Sequence, residues 1–321
     1  MRSRGDTAVV VVVVPVHNGR ENTQTFLRSL EVQTYPSFST VIVDDGSTDG
    51  TSEMIASTFP EVVVLPGNGE LWWSGGVNEG VRYAQAHGAD FVLTLNNDVE
   101  VAPDLIETLI GASDRHARAL IGSKVCYRHD RSRVWYFGAS FNITNGDMEH
   151  RTGLDRDLRE EMRSEWLTGM GVLVPLAVFD QIGLYDAENF PLYFGDADLS
   201  LRARDAGFEL WVTPEARVYA DVAESWFPRQ LENPQLKLPV DLFVSRHSAY
   251  NVTTRWKFYR RHWPTNHHLR ALARFYSVSM VHTYRIIARA YIKKAVLPTA
   301  RKLITSRVVD RGDPARRTPG R

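Results

Sequence analysis

The stretch Val41-Ile-Val-Asp-Asp-Gly-Ser-Thr-Asp-Gly-Thr51 ends an apolar run on two adjacent carboxylates and passes through turn residues into a helical pattern. Asx turns and helix caps account for Ser47, Thr48 and Asp49. Two neighbouring acids at the end of a buried strand repel each other unless donors face them, and a base or ribose supplies such donors. Upstream, Val9–Val14 reads as a strand, followed by a helix carrying Phe26, Leu27 and Leu30. Downstream come a helix through Met54 and Ile55, a strand at Val62–Leu65, a helix with Val77, Val81 and Ala84, and a strand at Phe91–Leu95. Repeated βα winding with strands apolar on both faces predicts an α/β fold with a mostly parallel sheet. Ligands of such sheets collect beyond the carboxyl ends of the strands. The loops there are Pro15–Gly19, Asp44–Thr51, Gly67–Gly76 and Asn96–Asp98.

Composition narrows the class. A chain of 321 residues that is 43% hydrophobic has ample core for one large α/β domain or two small ones. The single cysteine, Cys126, excludes an internal disulfide framework and a thiolate zinc cluster, and a reducing compartment suits it. The apolar run Ala8–Val14 is too short to span a membrane. The net charge of zero conceals a split: residues 251–321 carry 17 Lys and Arg against Asp310 and Asp313. The first 250 residues are therefore at −15 and the tail at +15. That asymmetry calls for an anionic partner. The first strand lacks a following Gly-x-Gly-x-x-Gly and the chain lacks a phosphate-loop lysine, which argues against dinucleotide and NTPase folds.

Two further acidic turns join the first. Leu95-Asn-Asn-Asp-Val99 ends another apolar strand, and one carboxylate there suits a hard divalent cation that also binds a diphosphate. Tyr193-Phe-Gly-Asp-Ala-Asp-Leu199 opens a helix that continues as Leu201-Arg-Ala-Arg-Asp-Ala-Gly-Phe208. Acids at a helix start offset its dipole and need no further role. Three acidic turns in one α/β chain favour catalysis.

Taken in order, these segments resemble glycosyltransferase family 2, the inverting enzymes with the GT-A fold, over about residues 8–225. The resemblance rests on Val14-Pro-Val-His-Asn18, the Asp44–Asp49 loop, Gly75-Gly-Val-Asn-Glu-Gly80, Asn96-Asn-Asp98, and Asp196 before the Leu201-Arg-Ala-Arg helix. It implies that Asp45 recognises the nucleotide base with Asp44 beside it, that Asp98 binds Mg²⁺ or Mn²⁺, and that Asp196 is the general base. Pro15, His17, Asn18 and Asn97 fall in the same donor loops. Gly75 and Gly76 are expected to offer amides to phosphate, with Asn78 nearby. Two departures stand out. Gly195 occupies the place where many relatives have Glu, and Val218-Tyr-Ala-Asp221 replaces a histidine metal ligand, with Asp221 as its candidate substitute.

On the acceptor side, Trp72 and Trp73 lie between glycines, where they serve either as packing residues or as a sugar platform. Trp166-Leu-Thr-Gly-Met-Gly171, with Thr168 and Gly169, takes the place of the family's small-residue segment beneath the acceptor. Asp198 and Arg202 either hold acceptor or phosphate groups or form an ion pair on the helix.

The expected organisation is a catalytic domain at 1–240, with a nucleotide-sugar half at about 8–125 and an acceptor half at about 126–240. A basic amphipathic helical extension follows at 241–310, then a disordered tail at 311–321. In the extension, Leu269, Leu272, Tyr276 and Met280 share one helical face, with Arg270, Arg274, Arg285 and Arg289 around it. That pattern fits an anionic membrane surface, with packing on the acidic catalytic half or a homodimer interface as the alternatives. The reading is a peripheral, cytoplasmic enzyme of cell-surface polysaccharide or cell-wall synthesis that acts on a glycan or lipid-linked acceptor and not on nucleic acid. A dTDP- or UDP-linked donor and rhamnosyl transfer are the first expectation. A nucleotidyl- or phosphotransferase on the same fold and an inactive glycan-binding module are the alternatives.

Overall fold

The computed structural model describes residues 7–142, 148–221, 238–263 and 267–309, excluding the side chains of 238–240 and 290–309. The tail expected at 311–321 lies outside these residues. The first half alternates β1 (Val10–Val16), α1 (Arg20–Glu31), β2 (Phe38–Asp44), α2 (Thr51–Thr58), β3 (Val63–Pro66), α3 (Trp72–Ala86) and β4 (Phe91–Thr94). Next come β5 (Val99–Val101), α4 (Leu105–Arg115), β6 (Ala119–Tyr127), β7 (Arg133–Tyr136), β8 (Ala139–Phe141), β9 (Met148–His150), β10 (Gly153–Leu154) and β11 (Met162–Arg163). The chain then forms β12 (Val172–Pro175), α5 (Leu176–Ile182), α6 (Gly195–Asp205), β13 (Glu209–Ala220), α7 (Leu238–Val244), α8 (Val252–His262) and α9 (His268–Val309).

The main sheet runs β10-β7-β6-β12-β4-β1-β2-β3, and β13 pairs with β5, β6 and β11. β3, β2, β1 and β4 are mutually parallel, and β12 is the antiparallel strand between β4 and β6. β1 is central because Val10–Val14 are buried on both faces, the condition for a parallel strand covered by helices on each side. Its register with β2 aligns Val16 with Asp44, so the Pro15–Gly19 and Asp44–Thr51 loops leave the sheet side by side.

Helix α3 lies close on β1. A Cβ on Gly80 would stand 2.1 Å from Val13 Cγ1, and one on Gly76 would stand 2.8 Å from Pro15 Cβ. Gly76, read with Gly75 as offering amides to phosphate, is thus with Gly80 a contact point between helix and sheet. The helix also starts earlier than the glycine pair suggests. The Gly75 amide donates to the Leu71 carbonyl at 3.1 Å and is spent within the helix.

The C-terminal helices pack on the catalytic half. Phe258 and Tyr259 of α8 are fully buried, and the Arg255 guanidinium lies over the rings of Phe275 and Phe194 at 3.7 and 5.0 Å. On α9, Leu272 is buried, and the Tyr276 hydroxyl donates to the Tyr250 carbonyl at 3.1 Å. Leu269 and Met280 instead face outward with Val278, Val281 and Tyr284. The stripe read as one face is therefore divided: part of it is core, and the exposed apolar face is rotated around the helix. Among the described residues no helix is long and apolar enough to cross a membrane.

Candidate active site

The loops beyond β1, β2 and β3 meet Leu192 and His247 around a cavity of about 300 Å³ lined by Pro15, Val16, His17, Asp45, Gly69, Trp72, Trp73, Leu192 and His247. A volume of this order suits a small ligand.

Asp45 organises its wall. Its Oδ1 accepts the Gly69 amide at 2.7 Å, and its Oδ2 accepts those of Leu71 and Trp72 at 2.9 Å each. The opening amides of α3 have no helical carbonyl to bond, so this carboxylate caps the helix from a different strand. An ionised carboxylate has about four acceptor positions. The three backbone donors leave Oδ1 one further position for a ligand N–H. Trp72 sits in the left-handed region at φ 57°, a conformation that costs a non-glycine residue on the order of 1 kcal/mol. Asp45 holds it there.

Asp44 turns away from the cavity, accepting the Ser47 amide at 2.9 Å and the Ser52 hydroxyl. His17 Nδ1 donates to the Asp45 carbonyl at 2.7 Å, and its Nε2 accepts from Asn18 Nδ2 at 3.0 Å, which assigns the Nδ1–H tautomer. Asn18, at φ 48°, accepts the Thr48 amide at 2.8 Å and ties the first loop to the second. Asn78 is a buried residue of α3 that exchanges two hydrogen bonds of 2.9 Å with the Tyr185 backbone and does not line the cavity.

The Trp73 indole bridges three parts of the site. Its Nε1 donates to Asn96 Oδ1 at 2.9 Å, its ring meets Tyr185 edge-on at 5.4 Å, and it covers Gly169 so closely that a Cβ there would lie 2.4 Å away. Asn97 Nδ2 donates to Thr23 Oγ1 at 3.0 Å. Both asparagines beside Asp98 are therefore structural, and Asp98 stands exposed just past β4. Among the described residues no three His, Cys, Asp or Glu side chains form a metal-binding group. Asp221 faces Arg128 Nη1 at 3.3 Å, and Arg128 also contacts Glu100 and the Asp98 carbonyl. The cationic Arg128, not singled out by any motif, thus stands between the two acids. One carboxylate, completed by diphosphate oxygens and water, is a donor set that Mg²⁺ and Mn²⁺ accept.

Asp196 opens α6 after Phe194, which adopts φ 70°. Its Oδ2 accepts the Gly169 amide at 3.0 Å and its Oδ1 accepts the Ala197 amide at 2.8 Å. Burial pushes its carboxyl upward from the ordinary range, and these two backbone donors only partly oppose the shift. Thr168 and Trp166 are buried beneath this segment. Gly195 has a steric reason to lack the side chain of its relatives: a Cβ would stand 2.3 Å from Ser74 Oγ, whose hydroxyl donates to the Phe190 carbonyl at 2.6 Å.

Asp198 points into the protein. It is fully buried and bonded to Arg202 Nε at 2.8 Å, Arg261 Nη1 at 2.9 Å and His262 Nε2 at 2.8 Å. Burial alone would raise its carboxyl, but the His262 hydrogen bond and the two guanidinium groups outweigh it and hold it at about 2. Arg202 also donates to the Ile182 and Leu184 carbonyls. The pair is an internal clamp on α8, the structural alternative of the sequence reading.

His247 was invisible to motif reading because it lies in the basic extension. Its ring meets Trp72 at 5.0 Å and 53°, and its carbonyl accepts the Tyr193 hydroxyl at 3.3 Å.

Comparison with known proteins bears on the family and the fold. Residues 11–164 match the model of Glycosyl transferase family 2. The N-acetylglucosaminyl-diphospho-decaprenol L-rhamnosyltransferase of Mycobacterium tuberculosis is 27% identical over 240 residues, 68% of this chain and 78% of the relative. The succinoglycan biosynthesis protein ExoA of Rhizobium meliloti is 26% identical over 209 residues, 63% of this chain and 60% of that protein. Among solved structures, GalNAc-T7 with UDP, GalNAc and Mn²⁺ superposes with a TM-score of 0.55 at 17% identity, covering 67% of this chain and 44% of that one. Staphylococcus aureus TarS gives 0.51 at 18% identity, covering 74% of this chain and 40% of that one. The chain thus spans less than half of each solved protein. The match over residues 11–164 and the similarity to a rhamnosyltransferase identify a glycosyl transferase family 2 region in this chain, and the strand order and the superposed structures give it the GT-A fold.

Proposed function

We propose that the chain transfers one sugar, rhamnose being the first candidate, from a dTDP- or UDP-linked donor to a hydroxyl of a lipid-linked diphosphate glycan during cell-surface polysaccharide or cell-wall synthesis. The observation that carries the reading is Asp196, a desolvated carboxylate fixed by two backbone amides beside the loops that line the donor cavity. Each of its oxygens keeps an acceptor position. A carboxylate in this state takes the proton of an attacking hydroxyl. The acceptor oxygen forms its bond to the anomeric carbon as the bond to the donor diphosphate breaks, and one in-line displacement inverts that carbon. Asp98 is the residue that would hold Mg²⁺ or Mn²⁺ with the diphosphate, and such a cation supplies charge neutralisation for the leaving group.

Asp45 offers its remaining position to a base imino N–H, which uracil, thymine and guanine carry and cytosine and adenine lack. That preference disfavours CDP and ADP donors and is compatible with the UDP or dTDP donor proposed. The acceptor class is suggested by the mycobacterial relative, whose name specifies a diphospho-decaprenol acceptor. A lipid-linked acceptor also gives a role to the outward face of α9, where Leu269, Val278, Met280, Val281 and Tyr284 alternate with Arg270, Arg274, Arg285 and Arg289. That face would rest on the inner surface of the cell membrane. The test is a screen of dTDP- and UDP-sugars with an isoprenyl-diphosphate-linked N-acetylglucosamine, following product by mass. Release of pyrophosphate from nucleoside triphosphates with no glycoside formed would replace this reading with nucleotidyl transfer.

A further inference from the structure

A second cleft of about 290 Å³ adjoins the donor cavity, and Leu192 lines both. One side comes from the segment leading into α6, with Glu188 and Tyr193. The other comes from the C-terminal helices, with Arg246, Thr253 and Lys257. Arg246, in the turn between α7 and α8, and Lys257, inside α8, are both exposed, and neither forms an ion pair among the described residues. Their neighbours differ. Arg255, Arg261 and His262 on the same helix are engaged with rings or with Asp198 and Asp186. The extension therefore spends its inner cations on folding and leaves two at the cleft.

The turn that carries Arg246 and leads into the helix of Lys257 is held on both sides. Asn251 Nδ2 donates to the Val244 and Ser245 carbonyls at 2.8 and 3.1 Å, and its Oδ1 accepts the Thr254 amide at 2.9 Å. Tyr193, three residues before Asp196, anchors the His247 backbone from the opposite wall. The cleft thus sits between the segment of the general base and the helices that bear the exposed basic face.

We propose that this cleft binds the diphosphate of the acceptor, with Arg246 and Lys257 as its counter-charges, so that the acceptor sugar enters past Leu192 toward Asp196. The inference rests on the lipid-linked acceptor proposed above. Two unpaired cations recognise a dianion by charge, and fixing that group orients the sugar attached to it. The donor diphosphate is a different group, assigned above to Asp98, which lines neither cleft.

The experiment titrates the full-length protein separately with farnesyl diphosphate and with UDP plus Mg²⁺ by calorimetry. Arg246→Ala with Lys257→Ala is expected to weaken farnesyl diphosphate by at least about tenfold and to leave UDP within about twofold. Arg246→Lys, which keeps the charge, should retain most of the binding and serves if the double variant folds poorly. His247→Ala should do the reverse, weakening UDP alone. Unchanged farnesyl diphosphate affinity in the double variant, or no binding by the wild type, overturns the proposal. An equal loss of UDP also overturns it, because the cations would then serve the donor. Failure of the wild type to bind UDP while farnesyl diphosphate binding depends on the two cations would instead discredit the donor reading and leave this site standing.

Discussion

Gly169 donates its amide to Asp196 Oδ2 at 3.0 Å and, on its other side, leaves room for the Trp73 ring that no larger residue would allow. Asp196 and the Trp73 wall of the cavity are thereby held by one residue without a side chain. Gly169→Ala is expected to displace both and to lower turnover more than Asp196→Glu does, which steady-state kinetics of the two variants can check.

Asp196→Asn keeps size and most hydrogen bonding but removes basicity. Turnover should fall by at least about a hundredfold with UDP affinity unchanged. Because burial raises the Asp196 carboxyl, kcat should decline on the acid side at a pH above the ordinary carboxylate range. The raised value also means that the native state favours the protonated form, so this group's contribution to stability is lost as pH rises through its folded pKa. The Asn variant should therefore be at least as stable as the wild type at neutral pH in urea titrations. Near-normal turnover would falsify the assignment.

Asp98 supplies one carboxylate, so divalent cation binding should be weak alone and tight with UDP. Calorimetry of Mn²⁺ with and without UDP measures this, and Asp98→Ala should abolish the enhancement. A strong site in the absence of nucleotide would point to ligands outside the described residues.

His247 and Trp72 meet in the lining of the cavity proposed for the donor. Stacking of a base on an aromatic ring contributes on the order of 1–3 kcal/mol. Trp72→Ala should weaken UDP by about tenfold or more, and His247→Phe should bind better than His247→Ala. Equal affinity of all variants in fluorescence titrations would remove both residues from the site.

Asp198 is buried among Arg202, Arg261 and His262, and removing one partner of a buried charge cluster typically costs about 3–5 kcal/mol. Asp198→Ala should lower the urea midpoint accordingly. Its carboxyl is held at about 2 against an ordinary 3.8, so its stabilisation is complete above about pH 4 and lost as pH falls through about 2. The wild type should lose on the order of 2 kcal/mol across that window relative to the variant.

The outward face of α9 should bind vesicles containing anionic lipid and release them at high salt, because each basic residue near such a surface contributes about 1 kcal/mol. Replacing Arg270, Arg274, Arg285 and Arg289 by Glu should abolish flotation without changing UDP affinity. Salt-insensitive binding would assign the face to apolar association.

The βα winding was legible because strands apolar on both faces, such as Val10–Val14, have few other places to go. The places of Asp45 and Asp98 past strand ends and of Asp196 at a helix start were legible because acids that end strands or open helices stand out in sequence. The start of α3 was not, since its cap is Asp45, 27 residues before Trp72 in sequence. Gly76 and Gly80 look alike whether they face a phosphate or a neighbouring strand, and only the 2.1 Å approach to Val13 decides for Gly80. Helical spacing grouped Leu269, Leu272, Tyr276 and Met280, but which part of that stripe is covered depends on Tyr250 and Phe243, which lie on other elements. His247 carries no local signal because its role depends on Trp72, brought beside it by the fold.

The contacts of Asp198 also determine where this polypeptide can be shortened. A chain ending at 240, the catalytic boundary expected from sequence, would contain the whole family match yet leave a buried carboxylate facing Arg202 alone. Arg261 and His262, nearly a hundred residues past the end of that match, supply the missing charge and hydrogen bond. The smallest autonomous unit therefore has to run through α8. Changes in that helix will be felt as loss of foldable protein, while those farther along α9 can alter where the enzyme works without touching whether it folds.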